Sequence, residues 1–223
     1  MYTKHRWMSD KYFNFPYVKY LPKDFHENEK YPLVFFLHGA EERGDGDLDM
    51  AMRHGYMKHV REEGKEYPFI FIAPQCPENK YWGCYTESLL AFLDYICETL
   101  PVDKDRVYLT GLSMGGTGTW MLAMADPDRF AALVPICGTG IYWNAYCLTK
   151  IPIYAYHGAK DELVLPYESI NMVNRINRHG GNAQIRILPD AGHGGWGVAY
   201  SSDELLEWML AQKRTIQNQD SEV

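Results

Sequence analysis

The stretch YLTGLSMGGTGTW, residues 108–120, sets four glycines and one serine between two apolar runs. A glycine-rich turn after a strand has two common chemical uses: cradling a phosphate or holding up a nucleophile. The phosphate reading fails on spacing. A P-loop needs G-x-x-x-x-G-K-[ST]; Gly111 and Gly116 have that glycine separation, but Thr117 stands where the lysine must be. Nor do Gly111, Gly115, Gly116 and Gly118 give the G-x-G-x-x-G of a dinucleotide site. What remains is G-x-S-x-G, with the apolar run RVYLT before it and the helical stretch MGGTGTWMLAMA after it. In that setting the serine occupies a strained turn that projects its hydroxyl, and small neighbours two positions away avoid clashes. The helix's first amides then face any negative charge that develops there. Ser113 is the candidate nucleophile.

Outward from this turn, buried apolar runs recur at YPLVFFLHG (31–39), FIFIAP (69–74), RVYLTG (106–111), ALVPIC (132–137) and IPIYAYHG (151–158). AQIRILP (183–189) alternates apolar with polar and suits a strand nearer the sheet edge, and FPYVKYLP (15–22) an early antiparallel strand. Leu89, Leu93, Ile96 and Leu100 form the stripe of an amphipathic helix between them. A second helix starts near Pro166, turns Ile170, Val173 and Ile176 inward, and stops at Gly180-Gly181. SDELLEWMLAQK (202–213) reads as a C-terminal helix, followed by a polar, frayed tail over 214–223. The expected fold class is α/β, one domain with a mainly parallel sheet covered by helices on both faces. Functional groups then gather at the carboxyl ends of the strands.

A serine hydroxyl needs a base. Of the eight histidines, His193 lies in LPDAGHGGW, a glycine-flanked loop after the last strand. His38 and His157 end strands but precede the serine or acid candidates in the wrong order, and His5, His26, His54, His59 and His179 read as solvated. The base needs a carboxylate to fix its tautomer. Asp161, just beyond the strand at 151–158, is best placed; Asp190, in the same loop as His193, and Glu162 are its rivals. Two amides must face the oxyanion of a tetrahedral intermediate. Met114, directly after the nucleophile, offers one, and Ala40, in the loop LHGAEERGDGD, the other.

The chain has 223 residues, ordinary globular composition and a net charge of -7 with no basic stripe, which argues against a nucleic-acid partner. No long apolar run suggests a membrane span. The N-terminus lacks an apolar signal-like region, so a cytoplasmic location is expected unless a leader has been removed. The five cysteines have no zinc-like spacing, and no H-E-x-x-H or comparable ligand cluster appears; no metal and no cofactor are expected. Cys97 and Cys137 read as core residues, while Cys76 and Cys84 bracket a turn-rich loop that allows a disulfide in an oxidising compartment.

Taken together, FFLHGAEERGD, IAPQCPENKYWG, GLSMGGTGTW, DPDRFAALVPICG, HGAKDELV and AGHGGW resemble, in the expected order, the α/β-hydrolase carboxylesterases of the phospholipase/carboxylesterase, polyhydroxybutyrate-depolymerase-like and feruloyl-esterase-like kind. The chain order Ser113, Asp161, His193 is the one expected for that fold. The resemblance implies a serine esterase with those three as triad and Ala40 and Met114 as oxyanion donors. One departure stands in the first loop. Relatives often carry a second glycine where this chain has Glu41, so the loop is expected to turn differently, with Arg43 tying it down through an ion pair.

Only GTGIYWNAYCLTK (138–150) fills the interval where many such hydrolases carry a cap, which predicts an open cleft. Tyr81, Trp82, Tyr142, Trp143 and Trp196 fall in loops at the catalytic end and are expected either to wall a pocket for planar acyl groups or sugar rings, or to pack the rim of the core. The expected substrate is a small-molecule or carbohydrate-linked ester: feruloyl, cinnamoyl or acetyl esters of plant carbohydrate. A lysophospholipase or acyl-thioesterase is the nearest alternative, and a non-catalytic binding protein of the same fold a remote one.

Overall fold

The computed structural model describes residues 1–214. Its framework is an eight-stranded sheet in the order β1-β2-β4-β3-β5-β6-β7-β8. The strands are β1 (Tyr2–Arg6), β2 (Pro16–Tyr20), β3 (Tyr31–Leu37), β4 (Ile70–Pro74), β5 (Val102–Leu112), β6 (Ala132–Ile136), β7 (Ile153–Gly158) and β8 (Ala183–Leu188). β1 pairs antiparallel with β2, and β2 antiparallel with β4; from β4 to β8 all pairs are parallel.

Two-sided burial explains why the central runs are continuously apolar. Along β3, Leu33, Phe35 and Leu37 enter one core and Val34 and Phe36 the other. The first core is closed by α2 (Thr86–Thr99), α3 (Met114–Ala125) and α4 (Tyr167–Arg178), and the second by α1 (Tyr56–Glu63), α5 (Trp196–Tyr200) and α6 (Asp203–Ala211). α2 turns Leu89, Phe92, Leu93 and Ile96 inward at helical spacing and ends just before Pro101. Burying one such side chain contributes about 1.5–3 kcal/mol. α4 follows Pro166, buries Met172, Val173 and Ile176, and stops at Gly180, whose φ of 84° few other residues adopt. α6 is capped by Ser202, whose hydroxyl accepts from the Leu205 amide at 3.2 Å.

The sequence pattern did not announce three elements. β1 is exposed and polar, and it forms because β2 offers its edge to Tyr2–Arg6. α1 and α5 are short, and their inward faces are too brief to show a period. β5 also starts earlier than its apolar run, at Val102, beyond the polar segment Asp103–Arg106 and a register shift. Arg214, expected to fray, is held by Asp105 at 3.0 Å and by the Asp128 carbonyl at 3.2 Å; the rest of the expected tail, 215–223, lies outside the described residues. Among the described residues no helix is long and apolar enough to cross a membrane, and all five cysteines carry free thiols.

Candidate active site

β5 delivers the chain to Ser113, which has φ 54° and ψ -118°, a left-handed conformation that costs a non-glycine residue roughly 1–3 kcal/mol. α3 begins at the next residue. The turn is possible because Gly111 and Gly115 have no side chains. A Cβ on Gly115 would lie 1.8 Å from the Leu37 carbonyl oxygen, and one on Gly111 would lie 2.4 Å from that of Gly115.

The Ser113 hydroxyl lies 2.8 Å from His193 Nε2, and His193 Nδ1 lies 2.7 Å from Asp161 Oδ2. A carboxylate only accepts, so Nδ1 carries the proton and Nε2 is left to receive that of the serine. Asp161 is buried, and its second oxygen accepts from the Leu163 and Val164 amides, each at 3.0 Å. Burial pulls this carboxyl's pKa upward. The hydrogen bond from His193 and those from the Val164 and Leu163 amides outweigh it, and the net shift is downward, toward the charged form. The two loops meet at the end of β7: the Lys160 amide donates to the Ala191 carbonyl at 2.9 Å, and a Cβ on Gly158 would lie 2.1 Å from the Gly192 carbonyl. The rival acids face away. Asp190 pairs with Lys160 in solvent, and Glu162 is exposed.

Ala40 is the first residue of a 3-10 helix, Ala40–Glu42, as Met114 is of α3. An N–H in that position has no intrahelical acceptor. The first loop reaches the elbow directly, since a Cβ on Gly39 would meet the Leu112 side chain at 2.8 Å. Glu41 does not need the glycine-like conformation that was expected to trouble the loop: it lies inside the 3-10 turn and is not among the positive-φ residues. Arg43 does tie the loop down, but among the described residues not by an ion pair. Its Nε donates to the Ala40 carbonyl of the short helix at 2.8 Å and its Nη1 to the Lys80 carbonyl of the neighbouring loop at 3.2 Å.

Trp82 corrects the expected pocket wall. It is 1% exposed, stacks edge-on with His38 and donates its indole N–H to the His38 carbonyl at 2.9 Å, so it presents no face to a ligand. Tyr81, Tyr142 and Trp143 are exposed, and Trp196 stands edge-on to His193 with ring centroids 5.4 Å apart. The interval expected to lack a cap holds one seven-residue 3-10 helix, Tyr142–Leu148. Three histidines expected to be solvated are not fully so: His59 is buried beside Glu63, His54 is half-buried between Glu42 and Trp196, and His5 is partly buried against the Tyr17 ring. His38 is a structural residue that sequence reasoning set aside. Its Nδ1–H donates to the Gly39 carbonyl at 2.6 Å while Nε2 accepts from the Cys76 amide at 3.0 Å, and burial pushes its pKa down to about 4.

A parallel sheet with a strained serine turn at the end of β5, an acid after β7 and a histidine after β8 defines an α/β-hydrolase. Residues 15–219 match the Esterase family, described as "Putative esterase". Among solved structures, one titled a thermostable esterase superposes with a TM-score of 0.86 at 30% identity, covering 96% of this chain and 63% of that one. "Probable feruloyl esterase C" of Aspergillus niger is 29% identical over 81% of this chain and 67% of its own length. The bifunctional acetylxylan esterase/xylanase XynS20E of Neocallimastix patriciarum is 29% identical over 68% of this chain and 22% of its own. The chain belongs to the Esterase family, carboxylic ester hydrolases on the α/β-hydrolase fold.

Proposed function

We propose that this protein hydrolyses carboxylic esters through an acyl-enzyme on Ser113, acting on feruloyl, cinnamoyl or acetyl esters of carbohydrate. The observation that carries the mechanism is the unbroken relay Ser113 Oγ to His193 Nε2 to Asp161, at 2.8 and 2.7 Å. His193 takes the hydroxyl proton as Oγ bonds to the ester carbonyl carbon, and the negative charge moves to the carbonyl oxygen. The Ala40 and Met114 amides stabilise that oxygen, each such donor lowering the barrier by about 2.7–4 kcal/mol. His193 then gives its proton to the departing alkoxy oxygen, the carbon–oxygen bond breaks, and the alcohol leaves. Water repeats the sequence and frees the acid and Ser113. Asp161 keeps its charge throughout and stabilises the imidazolium.

The substrate class rests on the named relatives and on the exposed rings of Tyr81, Tyr142 and Trp143, which offer flat apolar faces to an aromatic acyl group or a sugar. Ser113→Ala should lower turnover of p-nitrophenyl acetate by about four orders of magnitude or more, and a fluorophosphonate should label Ser113 alone. A panel of methyl ferulate, p-nitrophenyl acetate and a long-chain ester tests the substrate. A sharp preference for chains of about ten carbons or more, which need a long apolar groove, would overturn the reading in favour of a lysophospholipase or thioesterase.

A further inference from the structure

His157 takes no part in the relay, yet it is fully buried behind it. Its Nε2 lies 2.8 Å from the Val164 carbonyl and 3.3 Å from Asp161 Oδ2. A carbonyl only accepts, so Nε2 carries a proton. Nδ1 is then free to accept from the Ser169 hydroxyl at 2.8 Å, and Ser169 Oγ also lies 3.2 Å from the Gly138 carbonyl. The Cys137 thiol completes the surroundings, with its sulfur within 4.8 Å of the ring nitrogen and the carboxylate.

The segment these bonds hold is little buried. From Glu162 to Glu168 no side chain is buried, and Leu163 and Leu165 are 80% and 56% exposed. The segment can therefore draw little rigidity from packing. Val164 is gripped from both sides: its N–H donates to Asp161 Oδ1 and its carbonyl accepts from His157. His157 thus reaches Asp161 through Val164, and its Nε2 also stands 3.3 Å from Oδ2. We infer that His157 is a positioning residue, which holds the acid loop so that Asp161 Oδ2 faces His193.

The inference rests on Asp161 orienting His193 for Ser113, and it is tested by its dependence on Asp161. His157→Leu should lower kcat on p-nitrophenyl acetate by roughly tenfold to a hundredfold, the loss that follows when a buried acceptor, here the Val164 carbonyl, is left without its partner, with KM unchanged. In an Asp161→Asn background the same substitution should have almost no further effect on kcat, because the group it acts through is gone. His157→Gln, whose amide reaches the Nε2 position, should restore most of the rate; His157→Asn, one carbon shorter, should not. The Gln and Asn variants keep a polar side chain and decide the matter even if the leucine variant does not fold. Equal kcat values for Gln and Asn, or equal proportional losses with and without Asp161, would overturn the inference. Failure of the underlying mechanism has a different signature: a Ser113→Ala protein that still turns over, whatever His157 does.

Discussion

Gly115 is the residue on which the candidate site is most finely balanced. The first helical turn after Ser113 presses against the carbonyl end of β3 so closely that a single methyl group has nowhere to go. Gly115→Ala should therefore lower stability by about 1–3 kcal/mol. It should also lower kcat more than stability loss explains, on the order of a hundredfold, because it pushes the Met114 amide away from Ala40. Chemical denaturation and steady-state kinetics on one preparation check both. Gly197→Ala is the control, since nothing lies within 4 Å of its Cβ, and it should change neither. At this scale the sequence spoke clearly for Ser113, Asp161 and His193, because each follows an apolar run where a parallel sheet exposes its chemistry. Trp82 was illegible for a plain reason. An indole in a turn-rich loop looks the same whether it faces a ligand or a backbone carbonyl, and only the tertiary approach of His38 decides.

Among the elements, the loop between β3 and α1 carries the most consequence for its size. Its 3-10 turn Ala40–Glu42 is too short to hold itself, and Arg43 supplies what a longer helix would. Arg43→Ala should lower kcat about tenfold with little change in KM, by releasing the Ala40 carbonyl and loosening the amide on the same residue. Arg43→Lys should not rescue it, since an ammonium cannot aim two fixed N–H groups at two carbonyls. Comparing kcat and KM of the three proteins on methyl ferulate tests this. The two-sided strands were legible as elements from their continuous apolar runs, and α2 and α4 from their stripes. β1 was not, because an edge strand with an exposed face is specified by its neighbour's open hydrogen bonds and not by its own residues. The partner of Arg43 was equally hidden, since backbone carbonyls leave no mark in a sequence.

At the scale of the whole molecule, the fold stores a pH dependence in His38. Unfolded, this histidine takes a proton near 6.5; folded, burial holds it neutral down to about 4. The unfolded state therefore binds more protons in that window, and stability falls as pH drops through it, by about 3 kcal/mol from this group alone. Above about 6.5 the contribution is fully present. Glu42 works against the trend, because burial raises its carboxyl and favours the folded state on acidification. Urea midpoints between pH 7 and pH 4 should decline, and His38→Asn, which has no group to titrate there, should decline less steeply.

The contact between Gly115 and the Leu37 carbonyl has a mechanical consequence for the molecule as a whole. The helix that follows Ser113 cannot slide along its axis without lifting off the sheet beneath it. Ser113 and the amide beside it are in effect fastened to the central strands, and their spacing from Ala40 is inherited from the distance between β3 and β5. The two amides proposed to receive the developing charge are therefore held by the sheet itself, before any substrate arrives.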